Sequence, residues 1–190
     1  MTMRQVAALS PALAVLAALA VPASPAYADN RRLNDGVVAN VYTIQRNAGC
    51  AASGPNQAAG TPYINPKLRL AAQWHADDVL NNRALDGDIG SDGSTVADRA
   101  RNAGYAGAVA ETVAINPALA ISGVEILNQW MSRPDYLAIM SDCSNVDIGV
   151  WSENLVPDRS VVVAVYGKGD GAPPVQAPQR QFGQVPGWTP

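Results

Sequence analysis

Residues 146–167, VDIGVWSENLVPDRSVVVAVYG, carry the reading of the fold. Val146 to Ser152 and Ser160 to Gly167 are strand-like runs joined by a loop, a pattern that predicts a β-hairpin. Upstream, Ala108 to Ile115 has the look of one more short strand. The earlier chain follows a helical period instead. Leu33, Val37, Val41 and Ile44 predict a helix over 31–48, ending near Gly49. A loop rich in Ala, Gly and Pro follows over 51–66, and a second helix begins near Pro66, at a first-turn position that proline favours. Its inward stripe is Leu68, Ala71, Ala72, His75 and Val79. Residues 85–93, LDGDIGSDG, form a polar, turn-rich loop. Ser94 or Thr95 then caps a short helix, with Asp98 in its first turn and Gly104 just past its end. Asn116-Pro117 is expected to start a longer helix through Met131, with Ile121, Val124, Leu127 and Met131 inward; Pro134 opens a last turn to about Met140. Helices first, strands later and one strand between them predict an α+β or a layered α/β/α domain.

The composition sets limits. The chain has 190 residues, 48% hydrophobic and 15% charged, enough apolar surface for one globular domain. A net charge of −3 argues against nucleic acid or an anionic membrane as a general partner. One histidine and two cysteines are too few for a four-ligand structural zinc site made only of those residues.

The two ends are not core. Arg4 precedes an uncharged run from Val6 to Val21, and Pro22, Pro25 and Ala26-Tyr27-Ala28 complete the pattern of a cleavable signal peptide over residues 1–28, cut before Asp29. The run is shorter than the roughly 20 residues of a membrane-spanning helix, so no transmembrane segment is expected in the mature chain. The expected location is therefore secreted, outside the cell or in its envelope. In an oxidising compartment Cys50 and Cys143 read as one disulfide. Closing a loop of about 90 residues contributes ~4–5 kcal/mol in the chain-entropy model. From Gly169 onward Pro, Gly and Gln dominate, and residues 169–190 read as a flexible tail, leaving a folded domain over 29–168. Trp74, Trp130 and Trp151 lie in regular elements and are expected to pack, whereas Trp188 lies in the tail.

Several stretches together resemble the CAP superfamily (cysteine-rich secretory proteins, antigen 5, pathogenesis-related 1; the SCP domain), particularly its actinobacterial secreted type. These are LNDGVVANVYTIQRNAGC, LRLAAQWHADDVL, GSDGSTVADRARNAGY, AETVA, LNQWMSRPDYLAIM and CSNVDIGVW, in that order between residues 33 and 167. The resemblance implies a three-layer α/β/α sandwich with a central, mainly antiparallel sheet, and a secreted role. It also fits pairing of Cys50 with Cys143.

The resemblance further implies where a divalent-metal site would lie, because many members carry two cleft histidines with one or two glutamates. Here the first histidine position falls on Asp88 and the second on Tyr136, while AETVA keeps one glutamate, Glu111, followed by Thr112. A phenol with a pKa near ~10 is a poor ligand at neutral pH, so no metal and no cofactor is expected. The candidate ligand-binding cleft is Asp88, Glu111 and Tyr136, with a hydrogen bond between Asp88 and Tyr136 standing in for the metal site. His75 falls outside the cleft positions, on the stripe of a core helix. Glu111, in a partly apolar run, needs a hydrogen-bond or ion-pair partner. No G-x-S-x-G elbow accompanies the histidine. Asp86, Asp88 and Asp92 fail the EF-hand pattern, since position twelve counted from Asp88 is Arg99. The expected function is a secreted, non-catalytic module that binds an extracellular lipid, cell-wall component or protein, with no catalytic residue. The rivals are a hydrolase using Glu111 with His75 or a weakly bound cation, and a structural envelope protein docked by its proline-rich tail.

Overall fold

The computed structural model describes residues 25–50, 63–117, 122–155 and 159–170. The order is α1 (Pro25–Asn47), β1 (Tyr63–Ile64), α2 (Pro66–Asn81), α3 (Val96–Asn102), β2 (Val109–Asn116), α4 (Gly123–Met131), α5 (Pro134–Ser141), β3 (Asp147–Leu155) and β4 (Arg159–Gly167). The four strands form one sheet in the order β1-β3-β4-β2. The predicted hairpin is present as the antiparallel pair β3–β4, with Gly149 opposite Val165. β4 also pairs antiparallel with β2, and only the short β1 runs parallel, beside β3.

The apolar run of β4 follows from its place between two helical layers. Side chains alternate across a strand. Val162, Ala164 and Tyr166 enter one core with Val37 and Val41 of α1, Ile126 and Trp130 of α4, and Met140 of α5. Val161, Val163 and Val165 enter the other, with Leu68, Ala72 and Val79 of α2 and Ala100 of α3. A strand buried on both faces cannot alternate polar with apolar, and this one does not. α2 approaches β3 closely at Gly149, where a Cβ would stand 2.1 Å from the Arg69 backbone nitrogen.

Local signals account for most element ends. Asn65 caps α2 by accepting from the Lys67 N–H at 3.0 Å, with Pro66 behind it. Thr95, not Ser94, caps α3, and forms a reciprocal box with Asp98. Gly49 and Gly104 end their helices with φ of 86° and 85°, a left-handed geometry that glycine adopts without strain. Cys50 and Cys143 form the disulfide, tying the end of α1 to the turn between α5 and β3.

Several expectations are corrected. Asn116 does not start a helix; it ends β2 opposite Ser160, and α4 begins only after the Ser122 cap. Val124 and Met131 do not face inward. Val124 is 69% exposed and Met131 is also exposed, because Ile126, Leu127 and Trp130 offer the bulkier face to the core. Trp74 does not pack, being 41% exposed. β1 went unrecognised inside an expected loop, since two residues carry no period. α1 starts at Pro25, earlier than the apolar spacing indicates. Most of the expected leader and of the tail, residues 1–24 and 171–190, lie outside the described residues. The last described residues are tied to the domain: the Gly169 N–H donates to the Tyr105 hydroxyl at 2.8 Å, and Lys67 pairs with Asp170 at 2.7 Å.

Candidate functional site

The sequence-predicted site residues meet at the β2 edge of the sheet. β2 places Glu111 on the face that carries α2 and α3, with the same parity as Val113. α5 lies against the opposite face and brings Tyr136 to that edge. The 85–93 loop spans the gap with Asp88. The Tyr136 hydroxyl donates to Asp88 Oδ1 at 3.2 Å, long for a bond between two oxygens. Burial, with the Asp88 charge beside it, pushes the phenol up to about 12, so it is a neutral donor at physiological pH. The Arg133 guanidinium covers the other side of the ring, 3.6 Å from its centroid.

Of the three cleft candidates only Asp88 is exposed; Glu111 and Tyr136 are 3% and 2% exposed. The partner that Glu111 requires is Arg99, contributed by α3. One guanidinium nitrogen of Arg99 contacts Glu111 Oε1 and also donates to the Asp88 backbone carbonyl at 2.9 Å; the other donates to the Ser94 carbonyl at 2.8 Å. Arg99 therefore joins the strand, the loop and its own helix. Sequence reasoning noted this residue only where the EF-hand pattern failed. The usable signal was the unpaired acid itself, since a carboxylate in an apolar strand demands a cation from a neighbouring element.

His75 is buried as its helical stripe predicts, yet lies closer to the site than its position in the motifs implies. Nε2 stands 3.9 Å from Glu111 Oε1. It is committed elsewhere, 3.0 Å from the Gly87 carbonyl. A carbonyl only accepts, so Nε2 carries the proton and offers no lone pair to Glu111 or to a cation. Burial, and then the Arg99 charge, hold the imidazole below its ordinary value of 6.5. Burial pushes Glu111 up to about 8, against the pull of Arg99. Three atoms of this cluster, His75 Nδ1, Arg99 Nε and Glu111 Oε2, are buried without a hydrogen-bond partner among the described residues.

These residues do not fit the divalent metal that the resemblance implies for other members. A guanidinium already occupies the carboxylate that would bind a cation and repels a second positive charge. Among the described residues no group of three or more His, Cys, Asp and Glu side chains is arranged to hold a metal.

No protein-family model matches the chain, and no curated protein sequence matches it either. Solved structures do. The chain is similar to an outer surface protein from Borrelia burgdorferi, with a TM-score of 0.60 at 15% identity, over 74% of this chain and 95% of that one. It is also similar to an extracellular protein containing a SCP domain from Bacillus anthracis str. Ames, with a TM-score of 0.61 at 12% identity, over 79% of this chain. The match spans 45% of that longer protein. At these identities the likeness is one of fold: a mixed α+β domain, similar to SCP-domain structures. Among the described residues no helix is long and apolar enough to cross a membrane.

Proposed function

We propose that this chain is an exported, non-catalytic SCP-like module of the actinobacterial secreted type. Its leader is cut before Asp29, and it binds an extracellular lipid, cell-wall component or protein at the surface around Asp88. The observation that carries the non-catalytic reading is the sealed charge network. Glu111 is held by Arg99 under the 85–93 loop, and His75 spends its Nε2 proton on Gly87. A general base needs reach to a substrate proton, and neither group faces solvent. The export reading draws support from the apolar leader, from the disulfide, and from the printed descriptions of two similar folds as an outer surface protein and an extracellular protein.

The rival hydrolase has one observation in its favour, the 3.9 Å approach of His75 to Glu111. Calorimetric titration with Zn²⁺ and Ca²⁺ separates the two. The expected result is no binding tighter than about 10 µM, near −7 kcal/mol. Tighter binding that vanishes in Glu111→Gln would establish the metal-dependent rival.

A further inference from the structure

A second concave surface lies between α2, the 90–94 loop and α3. Its volume is about 240 Å³, and Trp74, Asp78, Asp92, Arg99 and Asn102 line it, with Ser91 and Ser94 between them. We propose that this groove binds one neutral sugar ring of an extracellular polysaccharide, stacked on Trp74 and hydrogen-bonded through its hydroxyls to Asp92 and Asn102.

The wall is apolar and open. Trp74 is 41% exposed on a helix whose Ala71, His75 and Ala76 are buried, and it lines the groove. A pyranose presents a face of C–H groups that matches such a ring, with hydroxyls around its edge for polar partners. Trp74 does not lack a route into the core for want of size: it sits on the flank of α2 that turns toward α3, away from Leu68, Ala72 and Val79.

The opposite wall is polar and held in place. Asp78 accepts from the Ser91 N–H at 2.7 Å, from the Ser91 hydroxyl at 2.6 Å and from the Asn82 amide at 2.7 Å. Asp92 accepts from the Ser94 N–H at 2.8 Å through Oδ1. The loop is pressed onto these acceptors at Gly90, where a Cβ would meet Ser94 Oγ at 2.7 Å and Asp92 Oδ1 at 2.8 Å. Arg99 lines the same wall and braces it, donating to the Ser94 carbonyl at 2.8 Å. Acceptors fixed before a ligand arrives cost little ordering on binding.

The charge balance selects the class of ligand. Two carboxylates disfavour an anion, and the Arg99 guanidinium disfavours a cation. A neutral polyol uses acceptors and donors together. The volume lies below the roughly 300–1,000 Å³ of sites for drug-sized ligands, which suits a single ring. The proposal goes beyond the reading around Asp88, and the two fail separately: metal titration reports on Glu111, whereas the following test reports on Trp74.

The test is titration of the full ¹⁵N-labelled chain with the N-acetylglucosamine trimer and with maltotriose, with choline and inorganic phosphate as charged comparators. The Trp74 indole resonance is assigned by its loss in Trp74→Phe. The Trp74 indole and Asn102 amide resonances are expected to shift with at least one oligosaccharide. Trp74→Ala should weaken that binding about tenfold or more, and Trp74→Tyr, which keeps a stacking ring, by no more than about threefold. Thermal melts show that the variants fold. The proposal is overturned by an absence of shifts up to about 20 mM saccharide, twentyfold above a ~1 mM dissociation constant. Undiminished binding in Trp74→Ala overturns it too, as do shifts caused by choline or phosphate alone.

Discussion

Arg99 and Glu111 are a buried pair whose two members are not equivalent. A carboxylate can shed its charge by taking up a proton, and burial already pushes Glu111 up to about 8. A guanidinium cannot shed its charge at all. Glu111→Leu therefore strands a permanent charge and is expected to destabilise the fold by about 3–5 kcal/mol in urea unfolding above pH 8, where the wild-type carboxyl is ionised. Arg99→Met should cost less, and the double variant should recover most of the loss. Equal costs for the two single variants would contradict this account. His75 supplies a second test, because it is the chain's one histidine and its imidazole resonance needs no assignment. Its folded-state pKa lies below 6.5, so the fold favours the neutral ring. That contribution is present above pH 6.5 and is lost as pH falls below it. Glu111 has the opposite sign: its contribution is present below its ordinary 4.5 and is lost as pH rises towards 8. Of these two groups only Glu111 acts above pH 6.5, and stability should decline from there to pH 8. An imidazole midpoint at or above 6.5 by NMR would mean that His75 is not held as described.

Two glycines show how the elements are spaced. Gly149 in β3 is pressed by α2, with a virtual Cβ 2.1 Å from Arg69 N and 2.2 Å from Leu68 C. Backbone cannot yield as a side-chain tip can, and Gly149→Ala should cost about 3 kcal/mol as α2 is pushed off the sheet. Gly36 in α1 meets nothing within 4 Å, so Gly36→Ala should instead stabilise by about 0.5–1 kcal/mol through helix propensity. Chemical denaturation of both variants checks the pair, and a neutral Gly149→Ala would remove the close contact from the explanation. The same contrast marks the limit of local pattern. α2 and α3 were legible because Pro66, Thr95 and Gly104 act on their own neighbours. The start of α4 was not, because Asn116 satisfies its backbone against Ser160, 44 residues away, before any helix can claim it. The inward face of α4 was misread for a related reason. Val124 and Met131 share a helical stripe, but Trp130 has the greater surface to bury.

Across the whole molecule, the sheet is enclosed by helices on both faces, and the disulfide closes the α1 side of that enclosure. Cys50 and Cys143 lie 93 residues apart. Replacing both with serine should lower the unfolding free energy by about 4–5 kcal/mol, if restriction of the unfolded chain is the source. A loss under about 1 kcal/mol would assign the stability to the two cores instead. The hairpin and the disulfide were legible in the sequence, since strand pattern and cysteine count need no partner to be read, whereas the three-layer arrangement came from the resemblance. The meeting of Asp88, Glu111 and Tyr136 came from resemblance, and the structure places them together with Asp88 alone at the surface.

The order of helices and strands, the two-sided burial of β4 and the need of Glu111 for a partner are written in residue types at short separation. The identity of that partner, the tautomer of His75 and the exposure of Trp74 depend on which groups fold beside them. Charge pairing and solvent access act through space, across contacts that no local period records.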